Sequence, residues 1–452
     1  MEGRHKISPA FEEFMAGCGP NDKKDAIVVF GPPAAAEEPQ RVRGRMRTLQ
    51  QRLRAVRESA AAQQPAQTKV LDSYQREGSK MLPGDKQVEA GPVGTSTMPV
   101  AKVEVTKRTL PLLAERKEVV AVLPNQKIHL IRPKEVDYDA LTRAETKKKL
   151  TWGLELLDIP KVWRKTKGEG VNVAVLDTGV YSEHEALTGR VKDFVVLDPI
   201  GRRINARPAF DCGTHGTHVC GTIAGGKTSD GVSIGVAPEV TLLVAGVLLG
   251  EATVETLIAG IGWAVERGAD IINMSLGFDY YEPRFDEVLR MVIDRFGVLP
   301  VVAIGNENHG NSSSPGNVAS AFSVGALEKM PRNKYDVAFF SSGVSLAFPG
   351  AAQNQLVTKP DVVAPGVQVY SCVPPETAAG GELYSHMDGT SMATPHVAGV
   401  AALLMSAYPE ANVTDIAAAL RETAKHPGGL VRPDNRWGYG LIQPGEALKA
   451  LA

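Results

Sequence analysis

The chain has 452 residues, 43% hydrophobic and 22% charged, an ordinary balance for a soluble globular protein and length enough for two domains. No stretch approaches the ~18 uninterrupted apolar residues of a membrane span, and Met1 to Ser8 lack the apolar run of a secretory leader. Cys18, Cys212, Cys220 and Cys372 do not make a disulfide framework in a chain this long, and reduced thiols agree with a cytoplasmic address. The net charge of -1 conceals an asymmetry: residues 1–150 hold 27 Lys and Arg against 19 Asp and Glu, and the remainder 23 against 32. Such a difference can steer two domains together.

In chain order, the first predicted element is the strand Ala26 to Phe30, ended by Gly31-Pro32-Pro33. A helix follows over roughly 40–62, where Val42, Met46, Leu49, Leu53 and Val56 share one face. Seven arginines between Arg41 and Arg57 fill its other faces; with no aromatic or motif context they read as solvated, not as a nucleic-acid surface. Residues 63–98, rich in Gln, Gly, Pro, Ser and Thr, are predicted to be a loose loop. Val100 to Val105 reads as a strand, Leu110 to Lys117 as a short helix, Glu118 to Pro124 as a strand and Gln126 to Ile131 as an extended tail. Together they describe a small split α/β domain over residues 1–131. Residues 132–151, which include Lys147-Lys148-Lys149, read as an exposed linker suited to a proteolytic cut.

In residues 152–452 strands are predicted at 171–176, 240–247, 270–274, 299–304 and 321–325, and helices at 215–225, 253–267, 284–296, 391–407 and 413–423. This alternation implies an α/β fold, a mostly parallel sheet covered by helices on both faces. Active residues then belong at strand C-terminal ends and helix starts. Asp177-Thr178-Gly179 ends an apolar strand; Gly213-Thr214-His215-Gly216-Thr217-His218 begins one helix; Gly389-Thr390-Ser391-Met392-Ala393-Thr394-Pro395-His396 begins another. Singly, Asp177 could be a cap, His215 a buried hydrogen-bonded histidine and Ser391 an N-cap. Jointly they are the parts of a charge-oriented nucleophile, an acid holding an imidazole that takes a proton from a hydroxyl. Cys212, His215, His218 and Cys220 have spacings that also suit zinc. A metal there would occupy the nitrogen His215 needs as a base.

The three motifs, in the order Asp, His, Ser and with their flanks, resemble the subtilisin-like serine peptidases, or subtilases. The resemblance implies a serine endopeptidase acting on polypeptides through an acyl-enzyme on Ser391, with no cofactor required for the chemistry. It implies that Asn306 is the oxyanion-hole side chain and that the Ser391 amide is the second donor. The backbone edge of Ser275-Leu276-Gly277 would pair with substrate, Glu307 would lie near the primary pocket's rim and Ser313 or Ser314 near its base. His218 and His396 are assigned packing roles. Cys220, close to the base, would make the enzyme sensitive to bulky thiol reagents. Residues 1–131 are similar to the inhibitory propeptide of many subtilases, so this domain would assist folding and block the cleft, with Lys127 to Ile131 lying in it as a substrate-like strand. The alternative is a permanently blocked binding or regulatory protein. One departure concerns calcium: many subtilases carry a ligating aspartate nine residues beyond the catalytic one, where this chain has Ala186. A structural calcium ion would need other oxygen ligands.

Overall fold

The computed structural model describes residues 4–31, 49–84, 87–93, 98–131, 134–135, 139–250, 252–278, 280–330, 332, 334–347, 356–375, 382–428 and 432–452. Val42, Met46 and the arginines at 41, 43, 45 and 47 lie outside them.

The N-terminal unit is an antiparallel sheet of β1 (Lys24–Phe30), β2 (Ala90–Pro92), β3 (Val100–Val105) and β4 (Val119–Pro124), in the order β2-β3-β1-β4. It carries helices α1 (Phe11–Phe14), α2 (Leu49–Lys80) and α3 (Leu110–Ala114). Helix α2 runs through much of the stretch predicted to be a loop. Val70 and Tyr74, one helical turn apart, pack with Val28 and Val103 of the sheet, and the Tyr74 hydroxyl donates to the Glu104 carbonyl at 2.6 Å. Burial of that pair outweighs the weak helix preference of a segment containing Pro65.

Two strands, β5 (Lys127–Leu130) and β6 (Lys134–Glu135), lead away from this sheet, followed by α4 (Asp139–Lys148). The stretch read as an exposed linker therefore contains a strand and a helix. Lys147, Lys148 and Lys149 are exposed, but Glu145 is buried, accepting from the Trp152 amide at 2.9 Å.

The second unit comprises, in order, α5 (Trp152–Leu156), α6 (Ile159–Val162), β7 (Asn172–Asp177), β8 (Val191–Leu197), β9 (Arg203–Ile204), α7 (His215–Ala224), β10 (Thr241–Gly246), β11 (Ala252–Thr253), α8 (Val254–Glu266), β12 (Ile271–Met274), β13 (Leu276–Gly277), α9 (Phe285–Phe296), β14 (Leu299–Ala303), β15 (Phe322–Met330), β16 (Lys334–Val337), β17 (Val344–Ala347), β18 (Leu356–Lys359), β19 (Val362–Pro365), β20 (Val369–Cys372), β21 (Tyr384–Asp388), α10 (Thr390–Ala407), α11 (Val413–Glu422) and α12 (Pro444–Ala450). Its main sheet runs β16-β15-β14-β12-β7-β10-β8-β9, with β19 beside β15. All its pairs are parallel except those of β16 and β9.

Alternation along β7 shows why the runs are apolar throughout. Val173 and Val175 pack with Val219 of α7 and Val397 of α10; Ala174 and Leu176 pack on the opposite face with Leu257 of α8 and Leu289 of α9. A strand covered on both sides needs apolar residues at every position. Strand β1 repeats the device: Ala26, Val28 and Phe30 face α2, whereas Ile27 and Val29 join the core of α8 and α9. The two units thus share a hydrophobic core. Polar contacts frame it. Asn125 Oδ1 accepts from the Glu255 amide and the Gln126 carbonyl from the Val254 amide, both at 3.0 Å, capping α8. Lys102 lies 3.2 Å from the buried Glu255 carboxylate. Among the described residues no helix is long and apolar enough to cross a membrane.

Candidate active site

Asp177 is the last residue of β7 and His215 the first of α7. The glycines of their motifs bring these ends together. A Cβ on Gly216 would lie 2.1 Å from the Gly179 carbonyl oxygen, and one on Gly179 would lie 2.2 Å from that of Phe210; neither tolerates a side chain. His215 Nδ1 is 2.8 Å from Asp177 Oδ1, with both groups buried. The same oxygen accepts from the Thr178 amide at 2.7 Å. The acceptor fixes the proton on Nδ1 and leaves Nε2 as the basic nitrogen. His215 Nε2 is buried and makes no hydrogen bond.

Asp211, which the sequence reading did not single out, organises this corner. Its carboxylate accepts from the Thr217 amide and hydroxyl, both at 2.7 Å, and from the Thr178 hydroxyl at 2.6 Å. Thr178 Oγ1 in turn accepts from the Gly216 amide at 3.0 Å. The acid caps α7 and ties its first turn to the loop after Asp177. An aspartate four residues before the histidine was the available signal. Asp211→Ala is expected to cost about 1–2 kcal/mol of stability and to lower kcat while changing KM little, because His215 loses its fixed position; thermal unfolding and steady-state kinetics read the two effects.

Ser391 is the second residue of α10. Its hydroxyl donates to the Ile131 carbonyl at 3.0 Å and to the Ser275 carbonyl at 3.3 Å. Asn306 follows β14 through Gly305, whose φ of +117 excludes other residues. Asn306 Oδ1 accepts from the Thr390 amide and hydroxyl, both at 2.9 Å. Thr390, also missed in the sequence, thereby fixes the carbonyl end of the amide and assigns the donating end to the nitrogen. Asn306→Ala is expected to fold and to lose about 10²–10³ in turnover; near-normal turnover would remove it from the site.

Strand β5 lies between β13 and β11. Leu130 and His129 pair with Leu276 and Gly277 on one side, and Ile128 and Lys127 with Ala252 and Thr253 on the other, all antiparallel. Ile131 follows, buried, with its carbonyl at Ser391. Beyond it Lys134 and Glu135 pair with Asp388 and Met387 of β21, just before α10. The chain crosses Ser391 with a paired strand on each side. Leu276 and Gly277 offer the edge, while the Ser275 hydroxyl donates to the Ser391 carbonyl at 3.1 Å and braces the helix start. Glu307 is exposed on the turn after Asn306, and Ser313 and Ser314 are buried behind Gly277, whose added Cβ would meet the Ser314 carbonyl oxygen at 2.7 Å.

The four residues with zinc-like spacing do not face a common centre. His218 Nε2 lies 3.0 Å from the Val369 carbonyl, Cys212 is exposed and Cys220 is buried within α7. Burial pushes His218 down to about 3 and His396 down to about 4, so both are neutral packing residues at ordinary pH. The expected sensitivity of Cys220 to thiol reagents is corrected: the side chain is fully buried, and burial holds its thiol well above the ordinary range, the state of an inert cysteine. Ala186 sits in the short turn Glu185–Leu187, its carbonyl accepting from Gly226 at 2.8 Å.

An acid at a strand end, an imidazole held by it and a serine at a helix start, on a mostly parallel sheet, are the kinds of group that an α/β serine hydrolase uses, although in this closed arrangement the Ser391 hydroxyl is bonded to carbonyls and His215 Nε2 makes no hydrogen bond. Residues 168–440 match the subtilase family, and the chain belongs to it: it is a subtilisin-like serine endopeptidase. It is 34% identical over 301 residues to subtilisin DY of Bacillus licheniformis, covering 64% of this chain and 96% of the relative. It is 35% identical over 289 residues to an intracellular serine protease of Paenibacillus polymyxa, covering 62% of this chain and 78% of the relative. Among solved structures it is similar to fervidolysin of Fervidobacterium pennivorans, described as a keratinolytic enzyme related to subtilisin, with a TM-score of 0.66 and 25% identity. That likeness covers 96% of this chain, which spans 62% of fervidolysin's length.

Proposed function

We propose that the chain is the self-inhibited precursor of an endopeptidase whose working residues are Asp177, His215, Ser391 and Asn306, and that residues 1–131 are its inhibitor and folding aid. One observation carries the reading: Ile131 presents its carbonyl to the Ser391 hydroxyl at the end of a strand paired on both sides. An extended peptide that adds a strand is bound by its backbone, whatever its sequence. Polypeptides are therefore the substrates, and the chain's own segment is the first of them.

The Ser391 proton, directed at the Ile131 oxygen, turns to His215 Nε2 as Oγ attacks the carbonyl carbon. Asn306 and the Ser391 amide receive the developing oxyanion. Asp177 stabilises the imidazolium, which then gives its proton to the departing nitrogen of Arg132 as the C–N bond breaks. Water hydrolyses the resulting ester by the same route. Leu276 and Gly277 serve later substrates as they serve β5, and Glu307 borders the pocket that Ile131 occupies. These steps use the chain's own groups and water. The described cysteines are all unpaired thiols, which with the intracellular relative supports a reducing, cytoplasmic setting.

The test is the sequence of the new N-terminus after expression. A mature chain beginning at Arg132 is expected, with Ser391 labelled by a fluorophosphonate. A full-length chain that never labels would instead support a permanently blocked regulatory protein.

A further inference from the structure

A buried carboxylate at the seam between the units has no part in this chemistry. Glu282 lies in the loop joining β13 to α9 and is fully buried. Its amide donates to Ser314 Oγ at 2.8 Å, and its Oε1 accepts from the Arg284 amide at 3.0 Å. The other oxygen, Oε2, is covered by the N-terminal segment, where the Ser8 hydroxyl donates to it. Ser8 is buried too, and its segment belongs to the N-terminal unit. The Ser8 amide donates to the Val122 carbonyl at 2.9 Å, Ile7 bridges to Val122, and Phe11 and Met15 enter that unit's core. On the other side, Ser314 accepts through its carbonyl from the Phe278 amide at 2.8 Å, directly after the β13 edge. One carboxyl group thus joins the start of the chain to the turn behind the substrate-binding strand.

Charge is poorly compensated there. The charged and titratable groups that face Glu282 are Arg284, Tyr280 and Tyr281 of its own loop, and Arg284 also faces Glu287. The N-terminal segment brings a hydroxyl, and the 313–317 turn brings the Ser314 hydroxyl, itself bonded to Asn317. Glu255, another carboxylate covered by the N-terminal unit, has Lys102 beside it. A buried acid without a paired cation favours its protonated form.

We propose that residues 4–15 form a proton-dependent latch, which closes over Glu282 while that carboxyl carries a proton and opens when it ionises, loosening the N-terminal unit from the cleft. The regulatory sense of this rests on the reading of that unit as the inhibitor. Burial pushes Glu282 up to about 7 in the closed state; opened to water, it returns to the ordinary ~4.3. The closed state therefore binds the proton more tightly. Latch strength is complete below the opened-state value and is lost as pH rises through the closed-state value. Between pH 5 and pH 7 the closing equilibrium should weaken at least about tenfold.

The experiment is hydrogen exchange on the full-length Ser391→Ala chain, read as protection factors corrected for the intrinsic pH dependence of exchange. Protection of segments 5–15 and 280–287 should fall at least about tenfold from pH 5 to pH 7, and Glu282→Gln, neutral at both, should abolish that fall. Parent protection that does not change with pH, or an unchanged fall in Glu282→Gln, overturns the proposal. Should Glu282→Gln not fold, Ser8→Asp serves: a second carboxylate facing Glu282 should release both segments at pH 7 while the central sheet stays protected, and unchanged protection overturns the latch. Because the readout is protection in an inactive chain, the latch stands or falls apart from the inhibitor reading, which N-terminal sequencing decides.

Discussion

Replacing Ser391 by alanine is expected to lower peptide hydrolysis about a millionfold and to leave the precursor uncut. The hydroxyl is the sole nucleophile in the proposed chemistry. The fold should hardly notice. The lost bonds run from one hydroxyl to the carbonyls of Ile131 and Ser275, while the brace from Ser275 Oγ to the Ser391 carbonyl uses backbone that alanine keeps. A stability change of about 1 kcal/mol or less is expected. Mass spectrometry of the purified chain and a fluorogenic peptide assay measure both results. An alanine chain that still shed its N-terminal third unaided would remove Ser391 from the cut.

Asp177→Asn is expected to cost about 10⁴ in kcat with little change in KM. Asp177 Oδ1 accepts from both His215 Nδ1 and the Thr178 amide, and Oδ2 is buried without a hydrogen bond. An amide cannot suit this arrangement. With its oxygen at the Oδ1 position, its NH₂ is buried unpaired. With its NH₂ there, it opposes the Thr178 N–H and turns His215 to the wrong tautomer. In either orientation the charge that stabilises the imidazolium is gone. Kinetics across pH would show it, and a loss below tenfold would mean that His215 works without its acid.

The architecture of residues 152–452 was legible because β7 and its neighbours are covered on both faces and so spell uninterrupted apolar runs, punctuated by the glycines that let Asp177 meet His215. Helix α2 was not legible. Its Gln, Ser and Pro content reads as loop, and it is held by contacts such as Tyr74 with Glu104, thirty residues away. Asp211 and Thr390 stood beside the motifs in plain view, but a carboxylate or hydroxyl in a loop has many uses, and its partner decides among them.

The sequence alone therefore singled out the residues proposed to react, since the types Asp, His, Ser and Asn and their immediate flanks are local properties tied to strand ends and helix starts. Only the tertiary structure decided what meets them: Ile131 at Ser391, Thr390 at Asn306 and Ser8 at Glu282 are separated by 260, 84 and 274 positions. Periodicities of two and 3.6 residues carry no record of such distances. Those pairings are fixed by which apolar faces bury one another, and that is a property of the packed chain as a whole.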